Sequence, residues 1–243
     1  MTPAVDVVAP AVSVVIPAFN EAGMLRESVH DVVGGLRARA APFEVIVVEN
    51  GSTDGTRAIA AELAAHDSEV TFRALARPDY GEALRTGILA AQGAVVVIFD
   101  TDYYDLDFLD RALARLEVVP HPAIVVGSKR APGTRDDRPW PRRLITAAFA
   151  TVLRAGFGLR VSDTHGMKAL DRAAVTPLAR QCRNGRDLFD TELVLRADRR
   201  GLAVVELPVT VAERRPSRTP IARRAVRTVV GLVRLRILLW RDE

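Results

Sequence analysis

The chain has 243 residues, of which 49% are apolar and 26% are charged. This length and composition predict one sizeable α/β domain or two small ones, and they exclude disordered, collagen-like and disulfide-stapled proteins. The single cysteine, Cys182, cannot form an internal disulfide, and the formal net charge is only +4.

Short β-branched runs alternate with helical patterns along the first half of the chain. Strands are predicted at residues 12–17, 43–49, 70–76, 94–100 and 123–127. Helices are predicted at about 21–39, 53–66, 81–91 and 106–118. Most of these strands are apolar on both faces, as buried parallel strands are. The alternation therefore predicts an α/β fold with a doubly wound, mostly parallel sheet flanked by helices.

The pattern changes after residue 140. Helices are predicted at 141–157 and 187–200, followed by a strand at 202–209. We interpret this half as an added layer over the carboxyl edge of the sheet, which is the edge where open α/β sheets bind ligands.

The first and third strands are followed by loops with helix-start chemistry. Pro17 ends the first strand, Asn20 is placed to cap the next helix, and Glu21 lies in its first turn. Gly81 opens the third helix, and Gly87 lies inside it, where glycine costs about 1 kcal/mol relative to alanine. Either close packing under a ligand or contact between helix and sheet explains Gly87.

The loop after the second strand reads "VVENGSTDGT". Glu49 closes the strand, Gly51 makes the turn, and Ser52 or Thr53 caps the next helix. The backbone amides of this loop are suited to a phosphate, and Glu49 is suited to accept hydrogen bonds from a base or ribose. The dinucleotide fingerprint G-x-G-x-x-G is absent.

The fourth strand ends in two carboxylates, Asp100 and Asp102, separated by one residue. Unpaired, they would repel each other, and a divalent cation such as Mg²⁺ or Mn²⁺ would remove the repulsion. The alternative is that Asp102 or Asp105 caps the helix that starts near Leu106, while Asp100 pairs with an arginine.

Four motifs occur in an order and spacing that resemble the family 2 glycosyltransferases with the GT-A fold. They are "VSVVIPAFNEAGML", "VIVVENGSTDGT", "DYGEALRTGILAAQGAVVVIFDTD" and "FDTELVLRADRRGLAVVELPV". Within that family, the chain most resembles the dolichyl- and polyprenyl-phosphate mannosyl- and glucosyltransferases, over residues 12 to 218. The family's second motif usually carries two aspartates, whereas this chain has Glu49 and Asn50.

The resemblance implies a nucleotide-sugar site and a metal held by Asp100 and Asp102. The site would contain Pro17, Phe19, Asn20, Glu21, Glu49, Gly51, Ser52, Asp79, Gly81, Asp100, Thr101 and Asp102. It also implies in-line displacement with inversion at the anomeric carbon.

Acceptor residues are predicted in the second half. Asp163, His165 and Asp190 are the candidate catalytic residues, and Glu192 belongs to the same family element as Asp190. Asp163 is equally explained as a loop acid with local contacts, and Asp190 and Glu192 as one face of a helix. The candidates for binding phosphate are Arg130, Arg214 and Arg218.

Basic residues are concentrated in the tail, where nine arginines and two acids lie between residues 214 and 243. We predict a catalytic domain at 1–218 and an amphipathic helix at 219–243. Its apolar face would contain Val226, Val229, Val230, Val233, Ile237 and Trp240. Such a helix is suited to an anionic membrane surface, with docking on the protein's own core or on a second subunit as the alternative.

The sequence therefore predicts a metal-dependent inverting glycosyltransferase that moves a hexose from a nucleotide sugar to a polyprenyl phosphate. The alternatives are a soluble or glycan hydroxyl acceptor, and a silent subunit that binds nucleotide sugars. We expect a cytoplasmic protein that is peripheral on the cytosolic face of the membrane, with a homo-oligomer possible. We expect no nucleic-acid partner, because the basic tail lacks interleaved aromatic residues.

Overall fold

The computed structural model describes residues 9–136, 140–159, 161–183, 185, 188–211 and 230–239. Strands are numbered in chain order. The main sheet contains β1 (Val12–Ala18), β2 (Phe43–Asn50), β3 (Val70–Leu75), β4 (Val95–Ile98), β5 (Ile124–Ser128), β7 (Lys168–Asp171) and β8 (Val204–Pro208). A separate parallel pair consists of β6 (Arg135–Asp136) and β9 (Thr210–Val211).

The strand order in the main sheet is β3-β2-β1-β4-β7-β5-β8. Strand β7 runs antiparallel to both of its neighbours, and the other pairs are parallel. The helices are α1 (Leu25–Arg37), α2 (Thr56–His66), α3 (Tyr80–Ala90), α4 (Leu106–Glu117), α5 (Trp140–Phe157), α6 (Arg172–Gln181), α7 (Phe189–Arg199) and α8 (230–239).

The strands alternate their side chains between two hydrophobic clusters, one on each face of the sheet. In β1, Val15 belongs to one cluster, and Val14 and Ile16 belong to the other. Helices α3, α6, α7 and α8 cover the first cluster, and α1, α2 and α4 cover the second. Burial on both faces is what the continuous apolar runs require, and the predicted α/β fold is confirmed.

Gly87 of α3 lies against Val15 of β1. A Cβ atom at position 87 would collide with the Cγ1 atom of that valine. Contact between helix and sheet therefore explains this glycine, and a ligand is not required.

The predicted starts of α1 and α2 were wrong. Helix α1 begins at Leu25, after Met24, and α2 begins at Thr56, after Gly55; neither has a side-chain cap. Asn20 has a positive φ of 55° and lies outside α1. Its side chain does not cap a helix; it accepts a hydrogen bond from the loop after β2 and so links two loops at the edge of the sheet.

The second half of the chain is more than an added layer. Strand β7 lies inside the main sheet between β4 and β5, and β8 extends the sheet beyond β5. The sequence analysis missed β7, which has only four residues, and helix α6, which contains Pro177. A short antiparallel strand lacks the long apolar run that identifies its parallel neighbours.

Helix α8 is part of the predicted C-terminal helix. The side chains that it buries against the first cluster are Leu232, Leu235 and Leu239. The exposed apolar side chains are Val230, Val233 and Ile237. Residues 212–229 and 240–243 lie outside the described part, so three of the six predicted apolar-face positions, Val226, Val229 and Trp240, are not described. None of the helices in the described ranges is long and apolar enough to cross a membrane.

Candidate active site

The first two strand-end loops are linked to each other. Strands β1 and β2 are parallel, and Ala18 lies opposite Glu49. Beyond this pair, the N–H of Asn20 donates to Ser52 Oγ at 3.0 Å, and Asn20 Oδ1 accepts from the N–H of Thr53 at 2.9 Å. The two loops therefore form one wall at the carboxyl edge of the sheet.

Two buried acids lie at this wall. Glu49 is buried, and its carboxylate accepts a hydrogen bond from the N–H of Ser52. Glu21 is also buried, and its N–H donates to Thr56 Oγ1 at 2.7 Å. Gly51, with φ of 65°, makes the turn between Glu49 and Ser52, and a Cβ atom there would lie 2.8 Å from the carbonyl carbon of Arg77. Only glycine fits this position without strain.

The third loop is joined to the second through Asn50. Its Oδ1 accepts from the N–H of Asp79 at 2.6 Å, and the Asp79 carboxylate caps α3 by accepting from the N–H of Glu82 at 3.1 Å. Gly81 packs against Phe189 of α7, where a Cβ atom would lie 2.7 Å from the Cβ of Phe189. The predicted position of Gly81 beneath the nucleotide is thus also a contact between α3 and α7.

The fourth loop turns sharply after β4. The N–H of Asp100 donates to the carbonyl of Tyr103 at 3.1 Å, and the N–H of Tyr103 donates to the carbonyl of Asp100 at 3.2 Å. Tyr80 of α3 donates its hydroxyl to Asp100 Oδ1 at 3.2 Å. Asp105 caps α4 by accepting from the N–H of Asp107 at 2.9 Å, so Asp100 and Asp102 are not needed as caps.

The position of Asp100 is electrostatically unfavourable for a carboxylate. Burial of its carboxyl group, together with the negative charges of Asp102 and Asp190, raises the pKa of Asp100 to about 6. Lys129 and the Tyr80 hydroxyl oppose this shift. A divalent cation would relieve the repulsion, and carboxylate oxygens are the ligands that Mg²⁺ and Mn²⁺ prefer. The pair therefore fits a metal ion that takes its other ligands from a substrate.

The described residues contain no cluster of three or more histidine, cysteine, aspartate or glutamate residues placed to hold that metal. This is expected where phosphate oxygens complete the coordination.

The chain's only two lysines, among 34 basic residues, both lie at this site. Lys168 is buried, its Nζ atom lies 2.7 Å from Asp190 Oδ1, and it donates to the carbonyl of Gly166 at 2.9 Å. Lys129 Nζ donates to the carbonyl of His165 at 3.2 Å and lies 5.5 Å from the centre of the Tyr103 ring. The sequence analysis did not assign either lysine to the site, although their rarity was a visible clue.

Asp163 and His165 lie together in the loop before β7. The buried carboxylate of Asp163 accepts from the N–H of Lys129 at 3.2 Å and from the N–H of His165 at 2.9 Å. The N–H of Asp163 donates to Glu206 Oε1 at 3.1 Å. The His165 ring packs edge-on against Phe149 of α5, with 5.2 Å between the ring centres. The carboxylate of Asp163 therefore joins its own loop to the segment that follows β5.

The remaining predicted residues are more scattered. Thr101 is buried, and its carbonyl accepts from Ser28 Oγ at 2.5 Å. Arg130 is exposed after β5. Glu192 is buried in an ion pair with Arg196, with 2.8 Å between the charged atoms, so it does not lie on an exposed helix face. The predicted phosphate ligands Arg214 and Arg218 lie outside the described residues.

The family profile described as Glycosyl transferase family 2 matches residues 13–176. This range includes all four strand-end loops and most of the sheet. The chain belongs to glycosyl transferase family 2. It is an enzyme family, and the resemblance seen in the four motifs is confirmed.

Three relatives of this family 2 chain illustrate its range. Glycosyltransferase AglD of Haloferax volcanii is 35% identical over 203 residues, which are 82% of this chain and 32% of AglD. The polyprenol monophosphomannose synthase of Mycolicibacterium smegmatis is 30% identical over 210 residues, 83% of this chain and 77% of that protein. The chain thus spans about a third of AglD and most of the synthase.

The third relative is a solved structure. Glucosyl-3-phosphoglycerate synthase from Mycobacterium tuberculosis, in complex with Mn²⁺, uridine-diphosphate-glucose and phosphoglyceric acid, superimposes with a TM-score of 0.66 at 25% identity. The match covers 88% of this family 2 chain and 74% of the synthase. The fold is the GT-A arrangement, as the motifs predicted.

Proposed function

We propose that this chain moves a hexose from a nucleotide sugar, of the GDP-mannose or UDP-glucose type, to a polyprenyl phosphate with inversion. The observation that carries the proposal is the convergence of Asp100, Asp102 and Asp190 with Lys129 and Lys168 at the carboxyl edge of the sheet. Paired carboxylates for a metal ion, with the Lys129 ammonium beside them, suit a diphosphate and its leaving-group charge, and the buried Lys168–Asp190 pair holds this edge in place.

The linked loops supply the nucleotide end of the site. Phe19 is partly exposed at the start of the first loop, following the buried strand that ends with Pro17 and Ala18. Glu49 accepts from the N–H of Ser52 in its own loop, and Asp79 accepts from the N–H of Glu82 in the first turn of α3, so both carboxylates are oriented before a ligand arrives. In this proposal Glu49 binds the base or ribose, and Asp79 lies beneath it.

Asp100 and Asp102 would hold Mg²⁺ or Mn²⁺, which when bound offsets the charge of the departing diphosphate. The acceptor phosphate oxygen forms a bond to the anomeric carbon as the bond from that carbon to the diphosphate oxygen breaks. The electron pair of the broken bond leaves with the nucleoside diphosphate. Lys129, held by the carbonyl of His165, would place a second positive charge beside this region.

The contacts of the acidic side chains favour a phosphate acceptor. Asp163 accepts from two backbone N–H groups, and Asp190 is paired with Lys168. Both carboxylates are thus already engaged by groups that hold the loop before β7 and the start of α7 in place. A hydroxyl acceptor needs a general base, whereas a phosphate monoester is already anionic and needs only to be positioned.

Two helices beside the site carry exposed apolar side chains. In α5, Trp140, Leu144 and Ile145 are exposed, and Phe149 of the same helix contacts His165. Helix α8 exposes a second apolar stripe, and its Arg236 lies 5.9 Å from the ring centre of Phe157 in α5. A basic, partly apolar surface of this kind is suited to an anionic membrane interface, where a lipid acceptor is found. In this proposal residues 219–243 form the membrane-surface helix, and 1–218 form the catalytic domain.

A soluble acceptor is the second candidate. It is favoured by the structural similarity to a synthase that was solved with phosphoglyceric acid. Phosphoglyceric acid offers a hydroxyl as well as a phosphate, so this candidate includes the hydroxyl acceptor that would need a general base.

The deciding experiment incubates the purified protein with Mn²⁺, labelled UDP-glucose or GDP-mannose, and a short polyprenyl phosphate. We expect label in the organic phase, abolished by EDTA. Parallel reactions replace the lipid with phosphoglyceric acid, and label is then sought in the aqueous anionic product.

Asp102→Ala is expected to abolish transfer. Asp107→Ala is the matched control, because Asp107 is an exposed acid on α4 in the same stretch of chain. Transfer only to phosphoglyceric acid would establish the second candidate. Metal-dependent donor binding without transfer to either acceptor would favour a silent nucleotide-sugar-binding subunit.

A further inference from the structure

A second cavity lies away from the strand-end loops, where α6 and α7 end. It has a volume of about 890 Å³, within the range of about 300–1,000 Å³ that is typical of ligand pockets. Its lining includes Gln181, Cys182 and Leu239. The other lining residues are all arginines: Arg85, Arg180, Arg183, Arg196, Arg199 and Arg200.

The positive charge of this arginine pocket is only partly offset. No acid is among the described residues that line it. Glu192, buried behind the lining, pairs with Arg196. The carboxyl ends of α6 and α7 each carry roughly half a negative charge, so together they offset about one more arginine. Glu82 also lies 3.5 Å from Arg85. Arg180, Arg183 and Arg200 carry the surplus, and after the offset by the helix ends about two positive charges remain around the cavity.

Several guanidinium groups are held in place around the pocket. Arg199 Nη1 donates to the carbonyl of Leu239 at 2.9 Å, and Arg200 Nη2 donates to Gln181 Oε1 at 2.7 Å. The Nε atom of Arg85 is buried and has no hydrogen-bond acceptor among the described residues. A buried donor in this state is unfavourable unless a bound group accepts from it. The pocket thus has both surplus charge and an unsatisfied donor.

We propose that the arginine pocket binds phosphate groups, either those of a soluble diphosphate or those of anionic phospholipid headgroups. Guanidinium groups bind phosphate oxygens through paired hydrogen bonds, and several of them around one cavity suit a polyanion. This site is separate from the donor site: Arg196 lies six residues after Asp190 on α7, which is about 9 Å along the helix. The proposal does not depend on the proposed function.

The first test is calorimetric titration with inorganic pyrophosphate at fixed ionic strength, with EDTA present to exclude metal-bridged binding at Asp100 and Asp102. We expect saturable binding that weakens at least tenfold in Arg180→Gln/Arg183→Gln. Both side chains are exposed, so the variant should keep its fold, which circular dichroism checks.

The matched control is Arg57→Gln/Arg73→Gln, which removes the same charge from exposed positions on α2 and β3. It should leave pyrophosphate affinity unchanged within twofold. A second arm measures partition of each variant onto phosphatidylglycerol vesicles against phosphatidylcholine vesicles. If R180Q/R183Q loses affinity only for pyrophosphate, the ligand is a soluble anion. If it loses only its partition onto phosphatidylglycerol vesicles, the ligand is a lipid headgroup.

The proposal is overturned if neither probe distinguishes R180Q/R183Q from R57Q/R73Q. It is also overturned if pyrophosphate binding is lost in Asp102→Asn, because the anion would then occupy the donor site.

Discussion

The Nζ atom of Lys168 lies 2.7 Å from Asp190 Oδ1, and both side chains are buried. The pair joins β7 to the first turn of α7, and so holds two elements of the second half of the chain at the edge of the donor site. Lys168 also donates to the carbonyl of Gly166. Each charge is therefore compensated, at the cost of keeping both out of water.

Replacing Lys168 with Met should lower the free energy of unfolding by about 3–5 kcal/mol, because Asp190 would remain buried without its partner. The double variant Lys168→Met/Asp190→Asn should recover most of this loss, and urea denaturation measures both. If the double variant were no more stable than the single one, the ion pair would not be the source of the loss.

Asp163→Asn and Asp190→Asn separate the two classes of acceptor. With a phosphate acceptor, we expect kcat to fall by less than about tenfold, with no change in the pH–rate profile, because no general base is required. Loss of a true general base would lower kcat by about 10²–10⁴-fold and remove the acidic limb of the profile. Glu206→Gln is a useful control, since it alters the hydrogen bond to Asp163 without removing either acid.

Asp100→Asn should stabilise the protein in the absence of metal while abolishing transfer. The folded-state pKa of Asp100 is raised to about 6 from 3.8, so the folded state binds this proton more tightly than the unfolded state does. Ionised Asp100 therefore lowers stability above about pH 6, and this penalty disappears as the pH falls towards about 4. The expected gain at pH 7.5 in EDTA is about 1–3 kcal/mol.

Thermal or urea unfolding of wild type and D100N at pH 7.5 and pH 4 measures this effect. The gain should be present at the higher pH and largely absent at the lower one. A variant that is less stable than wild type at pH 7.5 would contradict the raised pKa.

Gly87→Ala should lower the free energy of unfolding by about 1–3 kcal/mol, because the new methyl group would collide with Val15. Gly34→Ala on α1 is the matched control. A Cβ atom at position 34 meets nothing within 4 Å. It should therefore stabilise the helix by about 0.5–1 kcal/mol. Val15→Ala removes the atom with which the new methyl group collides. In a double-mutant cycle, Gly87→Ala should therefore lower the free energy of unfolding less in the Val15→Ala background than in the wild type.

Val233→Ser/Ile237→Ser should weaken binding to phosphatidylglycerol vesicles without unfolding the protein, because both side chains are exposed on α8. We expect a loss of roughly tenfold, since two partly buried aliphatic side chains contribute about 1–2 kcal/mol at an interface. Val118→Ser/Val119→Ser removes equally exposed valines elsewhere and should have no effect. If V233S/I237S bound the vesicles as tightly as V118S/V119S, this face of α8 would be excluded from membrane contact.

The sequence by itself determined the parallel strands of the sheet and the loops that carry chemistry. Continuous apolar runs such as Val12–Ala18 can be buried only between two layers, and parallel strands must end at one common edge. For that reason the loops containing Asn20, Glu49 and Asp100 could be predicted to meet. The four motifs in register were also enough to identify the family.

Tertiary structure decided the contacts that depend on distant pairing. The four residues of β7 are inserted into the sheet by their neighbours β4 and β5, which no local pattern reveals. The sequence favours Asn20 as a helix cap, but its side chain accepts from the second loop instead. The reason is that its backbone has a positive φ, which leaves it outside α1. The partner of Lys168 lies 22 residues further along the chain, in α7. Periodicity records which side chains are buried, but partners that distant in sequence meet only when the chain is folded.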